Sequence, residues 1–229
     1  MNNLKKVLLS VAAVVAIFGT VSTDVKAQGV LPDVLKRMDN AYKSLSSLRS
    51  NVKMEKTDSQ LGETDTYVGT VVYVPKKGKD ANIRVDWEKP AETLAVVNGK
   101  YLIYKRSTNQ AYTGNVSDAK GNAKANSSLS FLNMSKAQLK ANYDIALIGE
   151  EKVASGETTW HLRLTPKTNG KQKQADLWVD TNGFPLQSKI TENNNDTTTV
   201  LLTKIEKNVT IDLASFKVQL PKNVVWLKA

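Results

Sequence analysis

The chain has 229 residues, a formal charge of +10, one histidine and no cysteine. That excludes a disulfide framework, an acylated lipoprotein cysteine, a thiol nucleophile and any zinc site built from several His or Cys ligands. Lysine outweighs arginine and is scattered, with no basic helix and no base-stacking aromatic motif, so nucleic acid is not an expected partner; the excess charge reads as a solvated surface drawn to anionic lipid or acidic protein.

Residues 1–27 read as a secretory signal peptide. Lys5 and Lys6 give the positive start, Val7 to Val21 the short apolar run, and Val25-Lys26-Ala27 the small-x-small cleavage pattern, with the cut expected after Ala27. The apolar run is shorter than the ~20 residues a spanning helix needs. The expected location is therefore the periplasm, and residues 28–229 are expected to form one domain. That mature part keeps a charge of roughly +8.

The domain opens with a helix. Val30, Leu31, Val34, Leu35, Met38, Tyr42, Leu45 and Leu48 recur at spacings of three and four, with Pro32 near the predicted start and Ser46-Ser47 weakening the end. Five strand-like segments follow: 66–74, 81–88, 93–97, 101–107 and 110–113. Turn residues separate them, and Asn98-Gly99 is a two-residue hairpin signal. The stretch 114–142 begins rich in Asn, Ala, Ser and Lys. It continues with Leu129, Phe131, Leu132, Met134 and Leu139, which predict one or two short helices with Ser135 as an N-cap. A segment of this length inside a β-meander reads as a functional lid or as simple disorder, and its apolar cluster favours the lid. Six further strands are expected at 145–153, 158–166, 174–180, 186–192, 197–207 and 216–220. The sum is a mostly-β fold of about eleven antiparallel strands with a few helices.

Alternation gives each strand one dry side. Ile83, Val85 and Trp87 oppose Arg84, Asp86 and Glu88; Trp160, Leu162 and Leu164 oppose Thr159, His161 and Arg163; Leu177 and Val179 oppose Asp176, Trp178 and Asp180. A sheet this wide with one apolar face curls around something. Pattern alone leaves two outcomes open, a filled sandwich core or an apolar cavity.

Catalytic chemistry is not expected. His161 falls on the wet face and reads as a solvated strand residue, and no Gly-x-Ser-x-Gly elbow occurs. Asp180-Thr181-Asn182-Gly183 lacks the distal Glu of a calcium loop and reads as a β-turn. Nothing in the sequence brings Asp86, Asp176 and Asp180 together as a carboxylate pair, and no metal or cofactor is expected.

Over its mature length the chain resembles the periplasmic outer-membrane lipoprotein carrier (LolA-like) family. The resemblance rests on the order of several blocks: Tyr42-Lys43-Ser44-Leu45 running to Arg49, Gly69-Thr70-Val71-Val72, Ile83-Arg84-Val85-Asp86-Trp87 with Pro90, and Val96-Val97-Asn98-Gly99-Lys100 with Leu102 and Tyr104. It continues with Leu164-Thr165-Pro166-Lys167, Asp180 with Gly183 and Pro185, Asn195-Asp196-Thr197-Thr198, and Phe216-Lys217-Val218 with Leu220-Pro221. The resemblance implies a single antiparallel sheet curled into an incomplete, half-open β-barrel, covered by the N-terminal helix and the mid-chain helical lid, whose hollow holds the acyl chains of lipoproteins. It also implies an inner-membrane ABC transporter as donor, an outer-membrane receptor as acceptor, and a monomeric carrier. On that basis the expected cavity wall is Ile83, Val85, Trp87, Leu94, Val96, Trp160, Leu162 and Leu164. The expected lid contacts are Leu35, Met38, Leu129, Phe131, Leu132 and Met134. Val85 stands where the family usually has Trp. Pro75-Lys76-Lys77-Gly78 replaces an Arg-Pro step whose arginine helps hold the lid, so that role would fall to Lys76 or Lys77. The alternatives are an envelope sensor on the same fold that recognises a lipidated or other amphiphilic ligand, and an adhesion domain with a filled core.

Overall fold

A computed structural model describes residues 24–76, 79–116 and 130–227. Among the described residues twelve strands form one mixed sheet that does not close into a barrel, an incomplete barrel carrying two helices on its inner face. In chain order they are β1 Leu48–Thr57, β2 Thr64–Lys76, β3 Lys79–Lys89, β4 Glu92–Val97, β5 Lys100–Lys105, β6 Gln110–Asn115, β7 Tyr143–Lys152, β8 Thr158–Pro166, β9 Gln172–Val179, β10 Pro185–Glu192, β11 Thr197–Lys207 and β12 Val225–Leu227. The spatial order β12-β6-β5-β4-β3-β2-β1-β11-β10-β9-β8-β7 joins two meanders through the antiparallel pair β1–β11.

The helix α1, Asp24–Ser44, begins earlier than the periodicity predicts, and Pro32 lies inside it. Pro32 is exposed, so the carbonyl it leaves without an amide partner can be met by water. The helical stripe also overreaches at its other end. Ser46 leaves the helix because its amide and hydroxyl both donate to Asn208 Oδ1, at 2.8 and 3.0 Å, and Ser47 donates to the Val209 carbonyl. Leu48 thus starts β1, a strand absent from the expected set, and the count rises from about eleven to twelve.

Several local expectations hold. Asn98 and Gly99 both take positive φ, 53° and 75°, as a type I′ hairpin between β4 and β5 demands. Ser135 caps α2, Lys136–Asn142, in a reciprocal capping box with Gln138. Among the described residues a 3-10 turn, Ser130–Asn133, precedes it.

The C-terminus differs from expectation. Residues 216–220 form no strand; a 3-10 turn, Leu213–Phe216, packs on the outer face of β3 and β4, where Arg84 Nη1 donates to the Ser215 carbonyl at 2.7 Å. The chain then runs to β12, which pairs with β6 in parallel, so the sheet is mixed rather than wholly antiparallel. Phe216 is buried there, and a segment held by side-chain contacts and a carbonyl–guanidinium bond has no partner strand to make it β. Among the described residues no helix is long and apolar enough to cross a membrane.

The core divides in two. One cluster gathers Val34, Leu35 and Met38 of α1, Leu139 of α2 and Phe131 against Leu162, Leu164, Ala175, Leu177, Val179 and Ile190. The other runs across the inner faces of β1–β5, with Val52, Met54, Val71, Tyr73, Ile83, Val85, Trp87, Leu94, Val96 and Ile103, and includes Leu132. The 3-10 turn at 130–133 straddles the boundary, sending Phe131 to one cluster and Leu132 to the other.

Candidate functional site

The helices cover the β7–β10 half of the inner face. Each buried aliphatic side chain there contributes about 2 kcal/mol of burial, and two anchors fix α1 in place. Arg37 Nη1 donates to the Thr181 carbonyl at 2.8 Å. Gly183, at φ +88°, lies so close to α1 that a β-carbon on it would stand 2.2 Å from the Arg37 carbonyl carbon. The turn around it is the β-turn expected at 180–183, closed by the Gly183 amide on the Asp180 carbonyl at 3.0 Å, and the Asp180 carboxylate accepts from the Asn182 and Phe184 amides at 2.9 and 2.8 Å.

Across β1–β6 much of the inner face is packed as core, but one end of it is not filled. Here a pocket of about 620 Å³ is lined by Met54, Tyr67, Trp87, Leu94, Ile103 and Tyr112, which form an apolar floor, and by Lys56, Glu92, Lys105, Ser107 and Thr108 at its mouth, with Pro90 and Ala91 completing the wall. Cross-strand register explains the floor: Trp87 faces Gly69, Val85 pairs with Leu94, Leu94 with Ile103, and Ile103 with Tyr112, so one side of the pleat is apolar from β2 to β6. Gly69 presents no side chain toward Trp87, and Tyr67 meets the Trp87 ring edge-on with centroids 5.9 Å apart.

The rim is held from the outer face. Arg106 Nη2 donates to the Trp87 carbonyl at 2.9 Å and Nη1 to Thr93 Oγ1 at 2.8 Å, while Thr93 Oγ1 donates to Asp86 Oδ1 at 2.7 Å. Arg84 clasps the same Asp86 carboxylate through Nε and Nη2, at 2.7 and 3.1 Å. The arginine and acid of the Ile83–Trp87 block are thus a brace that fixes the β3–β4 edge and the C-terminal segment together.

Electrostatics at the mouth centre on Glu92. Burial pushes its carboxyl above the usual carboxylate range, and the neighbouring Lys105 and Lys56 ammonium groups oppose that without cancelling it. Tyr67 is likewise pushed up, by burial first and then by the nearby carboxylates of Asp65 and Glu92.

The expected wall residues separate. Trp87 and Leu94 line the pocket. Ile83, Val85 and Val96 are buried in the same cluster beside it. Leu162 and Leu164 are fully buried under the helices, with Trp160 packed against them. Of the lid residues, Leu35, Met38 and Phe131 pack over the β7–β10 half, Met134 lies against them, and Leu132 reaches the other cluster. Leu129 lies outside the described residues. Lys76, a candidate to hold the lid, instead donates to Asn98 Oδ1 in the β4–β5 turn; Lys77 lies outside the described residues. Sequence reasoning missed Met54, Tyr67, Ile103 and Tyr112. Tyr67, Ile103 and Tyr112 lay in expected strands and Met54 in none, and which strands the helices would leave uncovered was not legible.

His161 is not solvated. It is 8% exposed on the outer face, stacked on Trp178 at 4.5 Å, with Nε2 2.8 Å from Asp176 Oδ1 and Nδ1 2.9 Å from Glu151 Oε2. Arg163 and Gln174 also donate to Asp176, at 3.2 and 2.6 Å, and Trp178 Nε1 donates to Glu151 at 2.9 Å. Asp176, Asp86 and Asp180 each sit in a separate network, and among the described residues no three His or carboxylate groups converge on a metal-sized site.

Residues 49–219 match the family model described as "Outer membrane lipoprotein carrier protein LolA". No curated protein matches the chain in sequence. Among solved structures it is similar to an uncharacterized conserved protein from Thermus thermophilus, with TM-score 0.53 and 14% identity over 86% of this chain and 98% of that one. It is also similar to MucB, with TM-score 0.56 and 18% identity over 86% of this chain and 66% of that one. A third similar structure is the Pseudomonas aeruginosa MucA/MucB complex, with TM-score 0.49 and 18% identity over 82% and 60%. At such identities the likeness is one of fold.

Proposed function

The chain belongs to the outer membrane lipoprotein carrier family, and from that premise we propose that it is a periplasmic carrier of lipoprotein acyl chains. The observation that supports this reading is the unfilled end of the β1–β6 inner face. Its apolar floor of Met54, Tyr67, Trp87, Leu94, Ile103 and Tyr112 underlies about 620 Å³ of space, within the range of pockets that enclose small ligands. Close-packed interiors do not ordinarily leave such room.

Each methylene moved from water onto that floor gains about 0.8 kcal/mol, so a lipid anchor cannot cross an aqueous compartment uncovered. Binding needs no reaction, and in this reading the protein is not an enzyme. After loss of residues 1–27 it receives cargo from an inner-membrane ABC transporter and yields it to an outer-membrane receptor. The packed β7–β10 half keeps the frame rigid while the open half loads and empties.

Native mass spectrometry of protein purified from the periplasm, followed by lipid extraction, tests this. Acylated cargo is expected on the native chain. Tyr112→Glu, which places a charge at a half-buried floor position, should strip that cargo without altering the circular dichroism spectrum. Cargo retained in full by Tyr112→Glu would move the site elsewhere. Absence of cargo, together with no binding of a triacylated lipopeptide in vitro, would overturn the reading.

A further inference from the structure

The sheet ends on one side at β12, and that edge carries apolar groups in the open. Val225 and Trp226 are consecutive and so point to opposite faces of the strand, yet they are 50% and 53% exposed, because no described strand lies beyond them. Leu213, where the chain starts its run toward this edge, is 66% exposed. Edge strands of this kind are ordinarily covered or blunted. Residues 213–227 also hold Lys217 and Lys222, both exposed, and no aspartate or glutamate. Among the described residues neither lysine makes an ion pair.

The acids nearby are engaged. Asp212 Oδ1 accepts from the Ala214 amide at 2.9 Å. Asp86 is clasped by Arg84, whose Nη1 also holds the Ser215 and Lys217 carbonyls at 2.7 and 3.3 Å. The exposed Glu88 is followed by Lys89. The segment therefore joins uncovered apolar side chains to positive charge. It is also tied to the pocket. Asn109, next to Thr108 of the mouth, accepts from the Val225 amide at 3.0 Å and donates through Nδ2 to the Asn223 carbonyl at 2.9 Å, while Leu227 pairs with Tyr112 of the floor. Whatever docks on this edge stands beside the mouth.

An indole ring favours the boundary between water and hydrocarbon, where its body is buried and its N–H stays wet. Lysines beside it are drawn to lipid phosphate. An added peptide strand would find only the three residues of β12 to pair with, fewer than a stable ladder uses, whereas a lipid surface needs no register. We propose that residues 213–227 form a docking surface for membranes containing anionic phospholipid, which brings the pocket mouth to the bilayer. Docking of this kind does not require the pocket to be an acyl site.

Flotation of protein purified from the periplasm tests this, with vesicles of phosphatidylcholine alone and vesicles containing about three parts in ten phosphatidylglycerol. The native chain should bind the anionic vesicles about tenfold more tightly than the neutral ones, and added salt should release it. Val225→Ser with Trp226→Ser should abolish binding. Because those changes also weaken β12, Lys217→Gln with Lys222→Gln supplies a variant confined to exposed side chains, and it should bind roughly tenfold more weakly. Lys171→Gln with Lys173→Gln removes the same charge at the β8–β9 turn and should leave binding unchanged. Equal loss in the two lysine variants would reduce the effect to net charge and overturn the assignment. Undiminished binding by the Val225, Trp226 variant, or no flotation of the native chain, would overturn it too. A dimer that dissociates in that variant, with no flotation, would give the edge to a second copy of the chain instead.

Discussion

The two halves of the inner face are made of the same material and do different things. Both present Leu, Val, Ile and aromatic side chains from alternating strands. In the β7–β10 half, α1 and α2 press Val34, Leu35, Met38 and Leu139 onto that surface and close it. In the β1–β6 half no described helix does so, and the same kind of surface becomes the floor of a pocket. Hydrophobic patterning therefore does not distinguish a core from a binding site; the presence of a covering element does.

The largest expected effects test whether the halves really differ in packing. Leu177→Ala, at a fully buried position beneath α1, should cost about 3–5 kcal/mol in urea unfolding, since both transfer and cavity terms apply. Ile103→Ala on the pocket floor should cost only about 2 kcal/mol, the transfer part, because the space beside it is already open. Equal losses would mean that both halves are packed alike. Gly183→Ala tests the closure of the filled half directly. The residue would have to hold φ +88° and push the Arg37 carbonyl away, so a loss of roughly 2–3 kcal/mol is expected, with α1 losing hydrogen-exchange protection before the sheet does.

The smallest effect lies at the pocket mouth. Because burial raises the folded-state pKa of Glu92 above its unfolded value, the folded chain binds the extra proton more readily. Its contribution therefore favours folding at low pH and turns unfavourable as pH rises from the ordinary value of 4.5 through the folded pKa. Glu92→Gln should remove that slope, so that its unfolding midpoint gains on the native chain at pH 7 relative to the difference at pH 4. A difference independent of pH would show that Glu92 is not desolvated and that the mouth is wetter than the floor.

Much of the fold was legible because it rests on local rules. The faces of β3, β8 and β9 follow from alternation, the β4–β5 turn from Asn98-Gly99, and the start of α2 from Ser135. The failures came where distant partners intervene. Leu45 and Leu48 keep helical spacing with Met38, but Asn208, 162 residues from Ser46, pulls the chain out of the helix. His161 reads as solvated until Asp176, Glu151 and Trp178 are set around it on neighbouring strands. Residues 216–220 alternate like a strand, but Arg84 takes the Ser215 carbonyl and leaves the pairing to β12.

The candidate site followed the same division. Trp87 and Leu94 were chosen because they lie on the dry side of their strands, and so do Leu162 and Leu164, which ended under a helix. The order of side chains along each strand fixes which way they point, since the pleat alternates whatever the surroundings. Where α1 comes to rest is set by contacts such as Arg37 with Thr181, 144 residues apart, and no local pattern encodes them. The chain alone determined most of its strands, their dry faces and its family; the tertiary structure decided which dry face is sealed as core and which is left open to hold a ligand.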